Sequence, residues 1–283
     1  MLMNGFINIY KQRGESSAKC LARVKKIVGC KCGHMGTLDP LASGVLPVAL
    51  GQATRLFDIM TEKVKKYVAE FTFGYQTDTL DLEGVRIAET DKIPTKEAII
   101  DLLPRFIGEQ DQVPPAFSAK CVNGKKSYKL ARSGKAVELP PKRIVIYDMK
   151  LIGENSPSFT FEITCGGGTY VRSIARDLAS ALGTLGTMTA LERIRSGHFT
   201  KENAVTVDEL ESDGVAAHLI PSDAVLTFDR LDIEESKAIR LLNGLYDDFD
   251  VADGRYRVYV NDVFWGVGNC KDKKVVIRPY VRD

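Results

Sequence analysis

Residues 66–75 alternate clearly, with Tyr67, Ala69, Phe71, Phe73 and Tyr75 on one side and Val68, Glu70 and Thr72 on the other. Successive side chains of a strand point to opposite faces, so this pattern predicts a half-buried β-strand. The run Val45 to Leu50 is apolar throughout and predicts a fully buried strand. Further strand patterns fall at Gly5 to Tyr10, Arg143 to Ile152, Ser158 to Cys165 and Met188 to Ile194. Helical spacing brings Leu21, Val24, Ile27 and Val28 onto one face of a helix that Ser16 or Ser17 can cap. Thr95 to Ile107 is amphipathic. In Val171 to Leu182, Ile174, Leu178 and Ala181 point inward, and Arg172, Arg176 and Asp177 form the polar side. After an acidic stretch with a helix at Glu234 to Asn243 come short strands at Tyr256 to Val260, Val263 to Val267 and Val275 to Ile277. The succession predicts an α+β body over 1–222 and a small, mostly β domain over 223–283.

Length agrees with that division, since 283 residues suit one large domain plus a small one. The N-terminus lacks a basic segment followed by an apolar core, and no run of about 18 apolar residues occurs, so a soluble, cytoplasmic protein is expected. Six scattered cysteines show no disulfide framework and read as reduced thiols.

The net charge of +2 hides a strong asymmetry. From Lys120 to Arg143 eight basic residues, among them Lys125, Lys126 and Lys129, face the single acid Glu138. From Asp208 to Asp253 thirteen acids face three basic residues, and from Arg255 onward seven basic residues face three acids. The basic segment, flanked by Pro114-Pro115 and Pro140-Pro141, is an excursion between sheet elements that suits a phosphate backbone or forms a solvated loop.

Asp39 is the first candidate for chemistry. It lies among glycines, prolines and apolar residues in His34-Met-Gly-Thr-Leu-Asp-Pro-Leu-Ala-Ser-Gly. Asp before Pro is an ordinary turn former. Beside a buried strand, however, a carboxylate is desolvated, needs a partner and becomes available for acid, base or nucleophilic work. Cys30, Cys32 and His34 invite a zinc reading, but no second Cys/His pair completes the usual spacing, so no metal is expected. Gly166-Gly167-Gly168 before a helix resembles a phosphate cradle, yet lacks both the dinucleotide and the P-loop pattern. Thr77 to Gly84 is an acidic turn without the ligand alternation of a calcium loop, and its Asp81 can position a nearby basic residue.

Five segments taken in order resemble the bacterial tRNA pseudouridine-55 synthase family: His34-x-Gly-Thr-Leu-Asp39-Pro-Leu-Ala-Ser-Gly-Val-Leu, Lys66-Tyr67, Gln76 to Asp81, Pro114 to Lys120, and Gly168-Thr-Tyr170-Val-Arg172-Ser. The likeness covers roughly residues 5–200, and the tail resembles the family's PUA-like C-terminal domain more loosely. It implies a mixed, mainly antiparallel sheet with flanking helices, and isomerisation of uridine 55 in the tRNA T-loop without cofactor. Asp39 matches the catalytic Asp. His34 matches the residue that inserts into the loop beside the flipped uridine, Tyr67 the aromatic that stacks on the base, and Tyr170 a tyrosine of the pocket. Arg172 matches the arginine that pairs with the catalytic carboxylate, and Leu191 an apolar pocket wall or plain core. The basic segment, about 119–143, matches an RNA-gripping insertion in which Lys120, Lys125, Lys126 and Lys129 would meet the T-arm. Lys11 is an RNA contact by the same likeness, although the family's Lys-Pro reads Lys11-Gln12 here. A monomer is the default expectation, with no obligate protein partner evident in the sequence and no membrane contact expected. Two other readings stand beside it: a tRNA-binding protein without catalysis, and an ATP- or NAD-using enzyme built on Gly166 to Gly168.

Overall fold

The computed structural model describes every residue except 1–2, 61–62, 118–120, 123–124, 127–138, 244, 246 and 282–283. Its first strands are β1 (Gly5–Lys11), β2 (Cys32–His34), β3 (Ser43–Leu50), β4 (Lys65–Phe73), β5 (Tyr75–Thr77), β6 (Arg86–Glu89) and β7 (Gly108–Gln112). Next come β8 (Cys121–Val122), β9 (Lys125–Lys126), β10 (Lys142–Asn155), β11 (Ser158–Cys165), β12 (Gly186–Ser196) and β13 (Phe199–Thr200). The last are β14 (Asp229–Asp232), β15 (Gly254–Val260), β16 (Val263–Lys271) and β17 (Lys274–Tyr280). The helices are α1 (Ser17–Val28), α2 (Lys96–Leu102), α3 (Val171–Ala181), α4 (Val207–Asp213), α5 (Val215–His218) and α6 (Glu235–Leu242). Two compact units interleave along the chain: Met1–Asp39, Val45–Glu62 and His198–Asp283 form one, and Pro40–Gly44 and Lys63–Gly197 the other.

The second unit is built on the sheet β12-β4-β11-β10-β7, antiparallel throughout, with Ser43 and Gly44 added in parallel beside β12. The alternation of β4 buries Tyr67, Ala69, Phe71 and Phe73 as its sequence predicts. Tyr75 departs from the expected face because Gly74, at φ +101°, ends the strand, and Tyr75 then pairs with β6. Diagonal ring pairs Phe71–Phe161 (centroids 4.8 Å apart) and Phe73–Phe159 (5.7 Å) join β4 to β11. The expected helix Thr95 to Ile107 is shorter than its apolar pattern. Thr95 caps it by accepting from the Ala98 N–H at 3.2 Å, but the α-helix stops at Leu102 and Pro104 sits in a 3-10 turn. Proline cannot donate to the carbonyl four residues back, which ends the regular ladder. Helix α3 packs on β12 and β4. It buries Val171, Ile174, Ala175, Leu178 and Ala179, whereas Ala181, expected inward, is exposed in the last turn.

In the first unit, β3 joins β1 on one side and β2 on the other. Ser16 caps α1 through the Lys19 N–H at 3.2 Å, and Gly29 closes it in the left-handed region at φ +63°. The helix buries Ser17, Cys20, Val24 and Val28, a stripe shifted from the expected Leu21 and Ile27, which are half-buried. The tail sheet runs β14-β15-β16-β17, with β14 parallel to β15. Its alternation serves two cores within this unit: Val258, Val260 and Trp265 pack with Ala238 and Leu241 of α6, while Tyr259, Phe264 and Val267 pack with Phe6, Val45, Leu56 and Phe199. Strand β14 and helix α4 add to the expected elements, and Thr206-Val-Asp-Glu209 forms a capping box at the start of α4. Among the described residues no helix is long and apolar enough to cross a membrane.

Candidate active site

Asp39 closes a loop that the first unit holds tightly. Pairing of β2 with β3 puts His34 opposite Val48, and the Met35 N–H donates to the Pro47 carbonyl at 2.8 Å. Gly36 turns the chain at φ +105°, a conformation that a side chain would strain. Leu38 is 3 % exposed and is bracketed by the Ser17 hydroxyl, which accepts from its N–H and donates to its C=O, both at 2.8 Å. Asp39 itself is half-buried, as is His34. The Cys-x-Cys-x-His cluster belongs to the same segment. Burial raises the Cys32 thiol above its ordinary range.

The second unit gathers a different set. Strand β12 places Arg193 between Gly44 on one side and Tyr67 on the other. Arg193 is fully buried, Tyr67 is 6 % exposed and Leu191, paired with Ala69, is 8 % exposed. Gly44 permits this approach: a Cβ there would stand 2.2 Å from the Arg193 carbonyl oxygen, and its φ is +109°. The chain four residues beyond Pro40 is therefore locked against β12 by backbone contact. At the start of β4, burial, with Arg193 adding to it, pulls Lys65 down to about 8.

Arg172, expected on the polar side of α3, is instead 6 % exposed. It forms an ion pair with Asp81, Nη1 to Oδ2 at 3.3 Å, and donates to the Thr79 and Phe117 carbonyls at 2.9 and 3.1 Å. Asp81 is in turn held by its own turn, accepting from the Thr79 hydroxyl at 2.6 Å and the Glu83 N–H at 3.0 Å. The acidic turn thus supplies a counter-charge to an arginine rather than oxygens to a cation. Tyr170 precedes α3, and the buried Gln112 clasps its peptide groups: the Tyr170 N–H donates to Gln112 Oε1 at 2.8 Å, and Gln112 Nε2 donates to the Tyr170 carbonyl at 3.1 Å.

Lys11 has no exposed surface. Its ammonium donates to the Gln12 and Glu15 carbonyls at 2.9 and 2.6 Å, so it braces the loop leading into α1. Lys120 and Lys129 lie outside the described residues, and Lys125 and Lys126 are described only as backbone of β9, paired with β8. Ser17, Gln112 and Arg193 were missed from the sequence. No motif distinguishes them, although a polar residue spaced onto the buried stripe of α1 was a usable signal for Ser17.

Comparison with known proteins follows the same residues. Residues 22–171 match the model of the TruB family pseudouridylate synthase N-terminal domain, and residues 172–227 match that of the tRNA pseudouridylate synthase B C-terminal domain. The tRNA pseudouridine synthase B of Clostridium perfringens is 40 % identical, with 96 % of each chain covered. That of Rickettsia bellii is 42 % identical over 88 % of each. Among solved structures, a Cbf5-Nop10-Gar1 complex contains a chain similar to 98 % of this one and over 84 % of its own length, with a TM-score of 0.70 and 25 % identity. The N-terminal match alone spans more than half of the residues and includes the Asp39 loop, β4 and the Asp81 turn, so the chain belongs to the TruB family of pseudouridylate synthases.

Proposed function

We propose that this protein converts uridine 55 in the T-loop of tRNA to pseudouridine, using Asp39 as its catalytic carboxylate and no cofactor. The observation that carries the reading is the half-buried Asp39 in a loop anchored one residue upstream by buried hydrogen bonds, in a chain of this family. The reaction breaks the N1–C1′ bond, turns the uracil and forms the C5–C1′ bond, while the C5 proton is lost and N1 regains one. Atoms balance within the nucleotide, so the protein needs only to extract the base, hold it and act on the ribose or the ring.

Extraction from the RNA stack costs a few kcal/mol, and His34 is suited to fill the vacated place. Tyr67 is proposed to stack on the turned base and Tyr170 to bound its pocket, with Leu191 as apolar wall. Arg172, clamped by Asp81, is proposed to keep the catalytic carboxylate ionised. The lysines of the 119–143 insertion supply salt-dependent affinity, and the shape of the T-loop supplies selectivity. The proposed division of labour is a catalytic domain over 1–222 and a PUA-like domain over 223–283, acting as a monomer in the cytoplasm.

Tritium release from tRNA labelled at uridine C5 tests the reading. Wild-type protein should release label and Asp39→Asn should not, while both bind tRNA. Tight binding without release by folded wild-type protein would favour the alternative of an RNA-binding protein without catalysis.

A further inference from the structure

We infer that Ser17 is a positioning residue for Asp39, a role that rests on the function proposed above. The hydroxyl is 2 % exposed and spans 21 residues of sequence to take both backbone groups of Leu38, each at 2.8 Å. The Leu38 carbonyl and the Asp39 N–H belong to one peptide plane, so holding the former fixes the orientation of the plane from which Asp39 departs. On its other side Pro40 confines Asp39 to the extended region. The residue that carries the catalytic carboxylate is thereby restrained from both directions along the backbone.

Helix α1 does not need this hydroxyl. Its N-cap is already supplied by Ser16, which accepts from the Lys19 N–H. Ser17 is the first helical residue, and its hydroxyl bonds both backbone groups of Leu38 in the loop. A hydroxyl is suited to the task because it donates and accepts at once from a single atom. Removing it leaves a buried N–H and a buried C=O without partners and lets the peptide before Asp39 rotate. Displacement of a reacting group by about 1 Å can cost about 100-fold in rate.

The test compares wild type, Ser17→Ala and Ser17→Thr in single-turnover tritium release, tRNA binding and amide hydrogen exchange at Leu38. Ser17→Ala should lose at least tenfold in turnover with tRNA affinity unchanged, and should lose exchange protection at Leu38. Ser17→Thr, which keeps the hydroxyl, should restore most of both. If Ser17→Ala does not fold, Ser17→Cys, with similar bulk and a weaker hydrogen bond, takes its place under the same criteria. Turnover within twofold of wild type, or parallel losses of turnover and affinity, would overturn the positioning role. Unchanged Leu38 exchange would overturn the anchoring itself. A wild type that binds tRNA without releasing label would instead sink the functional reading, and with it the catalytic half of this inference.

Discussion

Replacing Asp81 with Asn removes one charge from a pair whose side chains are 3 % and 7 % exposed, and does so without changing shape. The Asn oxygen can still accept from Thr79 and Glu83, as Asp81 Oδ1 does at 2.6 and 3.0 Å. The amide, however, turns a donor toward the Arg172 guanidinium, which is itself all donors. Removing one partner from a buried ion pair typically costs about 3–5 kcal/mol, because the other charge stays buried and loses a counter-charge. Arg172 keeps two carbonyl acceptors, at 2.9 and 3.1 Å, which places the expectation at the lower end, about 3 kcal/mol. For a protein of this size that corresponds to a fall in Tm of about 6–12 °C. Urea denaturation of wild type, Asp81→Asn, Arg172→Met and the double variant closes a double-mutant cycle. The double variant should be far less destabilised than the two single losses combined, with a coupling of about 2 kcal/mol or more, since replacing both members of a buried pair by neutral groups is often tolerated. Single losses that add to within about 0.5 kcal/mol would refute the reasoning, because independent sites behave in that way.

Two further outcomes are expected. Burial lowers Lys65 from its ordinary 10.5 to about 8, so the unfolded chain binds the proton more tightly between those values. The penalty is therefore full below about pH 8 and fades as pH rises toward 10.5. Lys65→Met should gain no more than about 3 kcal/mol at pH 7, and the gain should vanish by pH 10.5 in denaturation curves compared with wild type; an equal gain at both would contradict the cause given. Substituting Lys125 and Lys126 together by Gln should weaken tRNA binding and reduce the slope of log affinity against log salt by about 1.5. An unchanged slope removes both from the RNA interface.

Periodicity located β4, β11 and α3 because strand and helix periods depend on which side of a single element faces the core, a property carried by neighbouring residues. It misplaced Arg172 for the same reason. A helical pattern assigns an arginine to the polar side, and the Asp81 turn, brought in from far upstream, supplies a counter-charge for burying it. Tyr75 and the end of α2 went astray where one residue, Gly74 or Pro104, overrode an otherwise good pattern. Asp39, His34, Tyr67 and Tyr170 stand out as candidates in the sequence because each lies in a short contiguous motif. Gln112 and Arg193 do not, since each meets a segment distant in sequence, and Ser17 shows itself only as a polar residue on the buried stripe of α1.

By itself the amino-acid order determined the element types, the unusual Asp39 loop and the family likeness, all of which rest on short-range sterics and on spacing. Tertiary structure alone decided how those residues are held: Leu38 by Ser17, Tyr170 by Gln112, Arg172 by Asp81, and Lys11 turned inward as a brace. The physical reason is that a buried polar group must find a partner, and which partner lies within about 3 Å is settled only when distant segments pack together.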